Sequence, residues 1–505
     1  MKYFLAGCAF WGIILFAVYA VRPKSKLASS TVEILNQREK CIISAVILAT
    51  VLLCILPMSL SPIWNGKIPD HRNQYELLAE SILDGHIYMP YDDIDPRLVE
   101  IENPYDINLR RQMDVSYHWD HAFYNGRYYM YFGVVPVFLL FLPFRLITGT
   151  ALTTYHATQV FAALFIIGVF KLFLLLARKF FSTLTWAVYL PLAAAFSVMS
   201  VWYAADAPAL YCTAITSGLC MEIWSLFFFA KAVWDSTTER HAIIFGMFGS
   251  LLGALAFGCR PPIALANLLA VPMLISYLKE KKCSRKLFGQ IAAVMLPYVM
   301  IGALLMIYNY MRFENPFEFG QSYQLTLADQ HKYTNMFSQF NVTKIFNGIM
   351  TNFLAFTPLK DTFPYFSFSS VFINFPICIL AVMLLFRTET QLFLKTHGLR
   401  LFMLLLVCVP LIICIAIIQM SPILEERYRM DIYWLMGLLS YMSFGIFYQT
   451  AANKKKRYGF FLSLAAYGTI FKAFILWCIP YDGNFTYTFP AWLITFKSIL
   501  SLGLQ

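Results

Sequence analysis

The sequence predicts an all-α polytopic membrane protein with about 12–13 transmembrane helices and a large external first loop that carries juxtamembrane helices. Three observations lead there. Hydrophobic residues make up 59% of the 505, charged residues only 13%, and mean hydropathy is +0.62, a balance that soluble folds of this length do not show. Apolar runs of about 20 residues recur, each long enough to cross a ~30 Å hydrocarbon core as a helix that satisfies its own backbone. Lys and Arg, which give the net charge of +11, gather in short clusters between those runs. That is the pattern of membrane topology, not of a nucleic-acid surface, so no nucleic-acid partner is expected.

Taken in order, the run at about 3–21 is too long for a signal-peptide core, and no small-residue cleavage site follows it, so it reads as a span. Its flank holds Arg22, Lys24, Lys26, Arg38 and Lys40, which assigns 22–40 to the cytoplasm and sends the second run, about 41–64, outward. Basic clusters at Arg178–Lys179, 279–286, 387–400 and 454–457 mark later cytoplasmic turns. The spans between them are 154–177, 183–203, 208–234, 241–259, 261–278, 287–310, 368–387, 400–420, 431–450 and 458–479. A last apolar run, 489–503, is short and either crosses or lies on the surface. The run 128–148 is long enough to cross, but crossing would move Arg178–Lys179 outside and invert every later turn. With Pro136, Pro143 and Arg145 inside it, it is expected to lie at the outer interface as a broken amphipathic helix. The chain 1–505 then forms a single multispanning domain, with 64–153 as its first external loop and 311–366 as its second. The turns 204–208, 259–262 and 421–430 share that face. The eleven cysteines lie mostly inside apolar runs without a CxxC pair, as small packing residues do.

The external loop concentrates the ionisable groups. The stretch 64–128 holds twelve of the 28 acids and half of the eight histidines. Asp70 precedes a helical pattern (Leu77, Leu78, Ile82) and reads either as a helix-capping carboxylate or as a base for an acceptor hydroxyl at the membrane surface. Glu76 and Asp120 are candidate substrate contacts. Asp206 is an isolated acid in a long apolar region, where an ionisable group is functional by default. Arg260, before Pro261 and Pro262, is likewise isolated and suits either a lipid phosphate or a snorkelling role. Glu425, Glu426, Arg427, Tyr428, Arg429 and Asp431 crowd a span boundary where the positive-inside bias disfavours arginine, so at least one is expected to face an anion. Arg127 could approach a phosphate at the interface, and Gln321, Ser322, Tyr323 and Gln324 offer hydrogen bonds to a sugar. His118, Asp120 and His121 could hold a divalent cation, although aromatic neighbours also fit a packed loop. No Walker loop, GxGxxG or HExxH occurs, which argues against a nucleotide-driven pump.

With those residues on the page, the chain resembles bacterial GT-C-type membrane glycosyltransferases of the family 39 and aminoarabinose-transferase-like group. The shared order is an acid leading into a YxxLAxxLLxG helix (Asp70, then Tyr75 to Gly85), a basic-aromatic stretch from Gly126 to Ile147, a basic turn at Arg178–Lys179, a second acid at Asp206, and a late Arg427–Tyr428 pair. ENPYD (102–106), WDHAFYNGRYYMYFGVVP (119–136) and RFENPFEFGQSYQLT (312–326) resemble uncharacterised multispanning proteins placed in that group. His71 stands where many relatives carry a second acid. The resemblance implies sugar transfer from a polyprenyl-phosphate donor to a cell-envelope glycan or lipid acceptor at the outer face of the bacterial cytoplasmic membrane. It implies Asp70 as general base or acceptor orienter, with Asp206 as a second catalytic carboxylate, and Arg127, Arg260, Arg427 and Tyr428 on the donor phosphate. A transporter or flippase of lipid-linked glycans is the main rival, and a non-catalytic anchor of a glycan-assembly complex a third reading. Charges at span ends, not at mid-span, favour the enzyme.

Overall fold

The computed structural model describes residues 2–61, 73–208, 210–279, 281, 284–333, 340–420, 425–451, 454–481 and 484–504. Among these, 11 helices are long and apolar enough to cross a membrane, or 12 if the bent pair Ile377–Leu385 and Thr388–Thr396 is one span. The protein is a predominantly α-helical, multi-pass membrane protein. Trp186–Asp206 and Glu426–Thr450 form its centre, each with 94% of its apolar window buried, whereas Lys2–Ala20 and Arg285–Phe313 lie at the periphery with 6% buried. Leu210–Trp234 packs closely on Glu239–Cys259, where Gly249 admits the Phe229 ring, while Gly246 and Gly253 face the other side, toward Val294, Asn267 and Tyr298.

Two expected spans come out differently. Over 368–387 the chain is not one helix: Val371–Asn374 is separate, and Ile377–Leu385 then bends by 71° into Thr388–Thr396. The Gln391 side chain donates to the Leu385 carbonyl (2.6 Å), taking an acceptor that a continued helix would have used. The run 489–503 forms only Pro490–Leu500, which is shorter than a membrane span requires. The run 128–148 is not one broken helix either. Ala122–Tyr124 and Arg127–Tyr129 pair as an antiparallel hairpin, and the helical part, Val137–Thr148, is too short to cross.

Both ends of the bundle are tied by polar contacts. At one end Arg178 Nε donates to the Val32 carbonyl (3.1 Å), Thr183 bonds Gln449, and Thr31 pairs with Thr185. At the other end the segments 73–153, 314–333 and 425–431 converge. Arg110, almost fully buried, fastens the first two by donating to the carbonyls of Pro104 (2.5 Å) and Thr326 (2.6 Å) while stacking on Tyr117.

Candidate functional site

The hairpin is the frame on which the site is built. Asn125 and Gly126 both take positive φ (48° and 70°), the backbone of the two-residue turns that match strand twist. The chain returning from the Arg285–Phe313 helix lies beside the first strand: Phe123 N donates to Tyr323 O (2.9 Å), Leu325 N to His121 O (2.9 Å) and Asp120 N to Leu325 O (3.0 Å). This pairing sets Gln324 beside Asp120. Asp120 itself is buried at positive φ (57°); its carboxylate accepts from Gln324 Nε2 (3.0 Å) and from the Tyr211 hydroxyl, and its carbonyl accepts from Gln74 Nε2 (2.8 Å). Two distant segments therefore hold the carboxylate, and a third holds the backbone that carries it.

Below it lies a polar cavity of about 350 Å³. Asp120, Arg260, Gln321, Gln324, Glu425, Arg427 and Tyr428 line it, with Tyr131 and Tyr211. A second, mainly apolar groove of about 340 Å³ runs between the spanning helices past Phe257, Leu265, Leu305 and Ile417. The two share Tyr131, Phe132, Arg260, Gln321 and Tyr428 as a common wall. Gly133 seats that wall: a Cβ there would collide with the carbonyl oxygens of Gly258 and Cys259.

The two arginines lining the polar cavity are not equivalent. Arg260 is bidentate on Asp431, with Nε at 2.8 Å and 3.0 Å and Nη2 at 2.6 Å, and its guanidinium lies 5.2 Å from the Tyr428 ring. Burial opposes its charge, Asp431 outweighs that, and its pKa lies above the ordinary arginine value. Arg427 is held more loosely. It lies over the Tyr211 ring at 4.0 Å, reaches Glu425 only at 3.7 Å, and its buried Nε has no hydrogen-bond partner. Arg427 is the guanidinium better placed to take an anion. Burial pushes the Tyr131 phenol well above its usual range, so it stays a neutral hydroxyl in the wall.

Asp120, Arg260, Arg427, Tyr428 and Gln321, all picked from sequence, thus share one cavity, and the others do not. Asp70 lies outside the described residues. Asp206 is not a solvated turn residue: it ends its helix fully buried, accepts from Asn484 Nδ2 (3.2 Å), and lines neither cavity. Glu76 is turned to structure, accepting from Arg145, which also reaches Glu80 (2.9 Å), and from the Leu152 amide (3.1 Å). Arg127 is exposed, stacks on Tyr88 at 4.4 Å, and is absent from both linings. His118 bonds Asp93 (2.9 Å) and stacks on Tyr91, whereas His121 bonds the Tyr91 hydroxyl (2.9 Å). Among the described residues no group of three or more His, Cys, Asp or Glu is placed to hold a metal ion. Tyr211 and Tyr131 carried no sequence signal, being aromatic residues in apolar runs. The hairpin did carry one, Asn125-Gly126 between AFY and RYY. No protein-family model matches the chain, and no curated protein or solved structure is similar enough to match it.

Proposed function

We propose that the protein transfers a sugar from a polyprenyl-phosphate donor to a cell-envelope acceptor at the outer face of the bacterial cytoplasmic membrane. The observation that carries this reading is the pair of cavities with a common wall. A lipid-linked donor has an apolar tail, a phosphate and a polar sugar in series, and groove, arginine wall and polar chamber follow in the same order. In the transfer, an acceptor hydroxyl attacks the anomeric carbon, the bond from that carbon to the phosphate oxygen breaks, and negative charge grows on the leaving phosphate. Arg427, together with the Arg260 nitrogen not engaged by Asp431, stabilises that charge in a site partly shielded from water. The acceptor's proton passes to a carboxylate. The resemblance gives that role to Asp70; among the described residues the carboxylates lining the chamber are Asp120 and Glu425.

The test is transfer by purified protein supplied with polyprenyl-phosphate sugars and an envelope acceptor. Wild type should transfer, and Arg427→Gln and Asp70→Asn should each lose about a hundredfold or more of the rate. Full transfer by Asp70→Asn would remove the base assignment. No transfer with any donor, combined with glycan efflux from sealed vesicles, would replace the enzyme by a transporter.

A further inference from the structure

At the midpoint of the spanning helix Leu210–Trp234 stands Glu222, fully buried, with neither carboxyl oxygen hydrogen-bonded among the described residues. A charged carboxylate inside a span is costly, and protonation would still leave an O–H and lone pairs unsatisfied. Its surroundings are rich in neutral oxygens. Ser225, one turn on, donates to the Gly249 carbonyl (2.8 Å), which sets Glu222 against the next turn of the Glu239–Cys259 helix. There, Gly253 lies against Asn267 Oδ1 and the Tyr298 hydroxyl, and Tyr298 lies within electrostatic reach of Glu222. The Tyr298 hydroxyl donates to Asn267 Oδ1 (2.5 Å), while Asn267 Nδ2 holds the carbonyls of Gly253 (3.1 Å) and Ala264 (2.9 Å). Ser250, one turn from Gly253, is fully buried with an unpartnered hydroxyl. The span that carries Asn267, Pro261–Lys279, is irregular at this level, with 3-10 geometry over Leu265–Leu269. Interrupted spans beside a buried acid are where membrane proteins bind small cations.

We propose that Glu222, with oxygens of Ser250, Asn267 and Tyr298, forms an intramembrane site for a sodium-sized monovalent cation. One carboxylate charge among otherwise neutral oxygen ligands balances one positive charge, and hard oxygen donors suit an alkali cation, not a thiophilic one. Gly253 keeps the site open, since a Cβ there would occupy the space of Asn267 Oδ1. The site also bears on the cavity wall: Gly218, one turn from Glu222, packs against Ile263 and the Cβ of Arg260. This inference does not depend on the glycosyl-transfer reading.

The test uses the full-length protein in detergent, exchanged into choline buffer. A hydrophobic carbodiimide modifies protonated carboxyls in apolar surroundings, and mass spectrometry locates the adduct. Glu222 should be labelled without sodium, and sodium should suppress labelling about tenfold where choline at equal ionic strength does not. Sodium should raise the melting temperature of wild type and leave that of Glu222→Gln unmoved. Ser250→Ala should still label but need about tenfold more sodium for protection. If Glu222→Gln does not fold, wild-type labelling and Ser250→Ala decide the matter. Labelling at Glu222 that sodium does not suppress, with no sodium effect on melting, would reduce the site to a buried protonated acid and overturn the proposal.

Discussion

Breaking the Arg260–Asp431 pair should be costly in an asymmetric way. Asp431 is fully buried with Arg260 as its ion-pair partner, whereas Arg260 keeps the Tyr428 ring and a face on the cavity. Arg260→Met strands a buried carboxylate, a change that typically costs about 3–5 kcal/mol. Asp431→Asn retains a polar acceptor for a guanidinium that also borders a cavity, and should cost about 1–3 kcal/mol. Replacing both, as Arg260→Met with Asp431→Asn, removes both charges together, so the double variant should be more stable than Arg260→Met alone. Reversible denaturation of the four proteins in mixed micelles closes the cycle, and residues in direct contact should couple by about 2–3 kcal/mol. Additive single effects, or an Arg260→Met cost below about 1 kcal/mol, would refute the reasoning.

Other variants separate wall, carboxylate and scaffold. Gly133→Ala forces a Cβ onto two backbone carbonyls and should cost about 1–3 kcal/mol, read as a lowered melting temperature together with weaker donor binding. Tyr211→Phe removes one donor to Asp120 without emptying the space, so transfer should fall about tenfold while the melting temperature barely moves. Glu76→Gln loosens Arg145 and the Leu152 amide; the expected result is faster proteolysis within 142–153 and unchanged donor affinity. Arg97, then the backbone amides of Arg97 and Ser116, hold Asp95 down at about 2 from an ordinary 3.8. The depressed value means this contribution is complete above about pH 4 and fades as pH falls toward 2, so proteolysis of 92–116 should accelerate across that window.

Spans were legible because length and hydropathy are local properties of the sequence. The expected span 368–387 ends at a bend between Leu385 and Thr388, where polar Thr388, Glu389 and Gln391 follow and composition alone did not reveal the break. Arg260 stood out as a single charge among apolar residues, Arg427 as an arginine on the outer side of a span boundary and Asp120 as an acid of the external loop; all three line the polar cavity. Asp206 and Glu76 line neither cavity: Asn484 bonds one oxygen of Asp206 and Arg145 pairs with Glu76, each partner being distant in sequence. Sequence also could not say which arginine was already spoken for. Arg427 and Asp431 are four positions apart, yet Asp431 takes Arg260 across 171 positions. The hairpin was readable at Asn125-Gly126, but the apolar run after Tyr128 looked helical throughout and obscured it.

The groove flanked by Phe257, Leu265, Leu305 and Ile417 has a practical consequence for any measurement on this protein. A ligand whose tail lies there arrives by lateral diffusion within the lipid phase, so the quantity that governs occupancy is its mole fraction in that phase. Detergent alkyl chains fit the same groove and are present in vast excess in a micelle. Apparent affinity should therefore weaken as detergent is added at constant ligand, and recover when the protein is returned to a bilayer of the same ligand content.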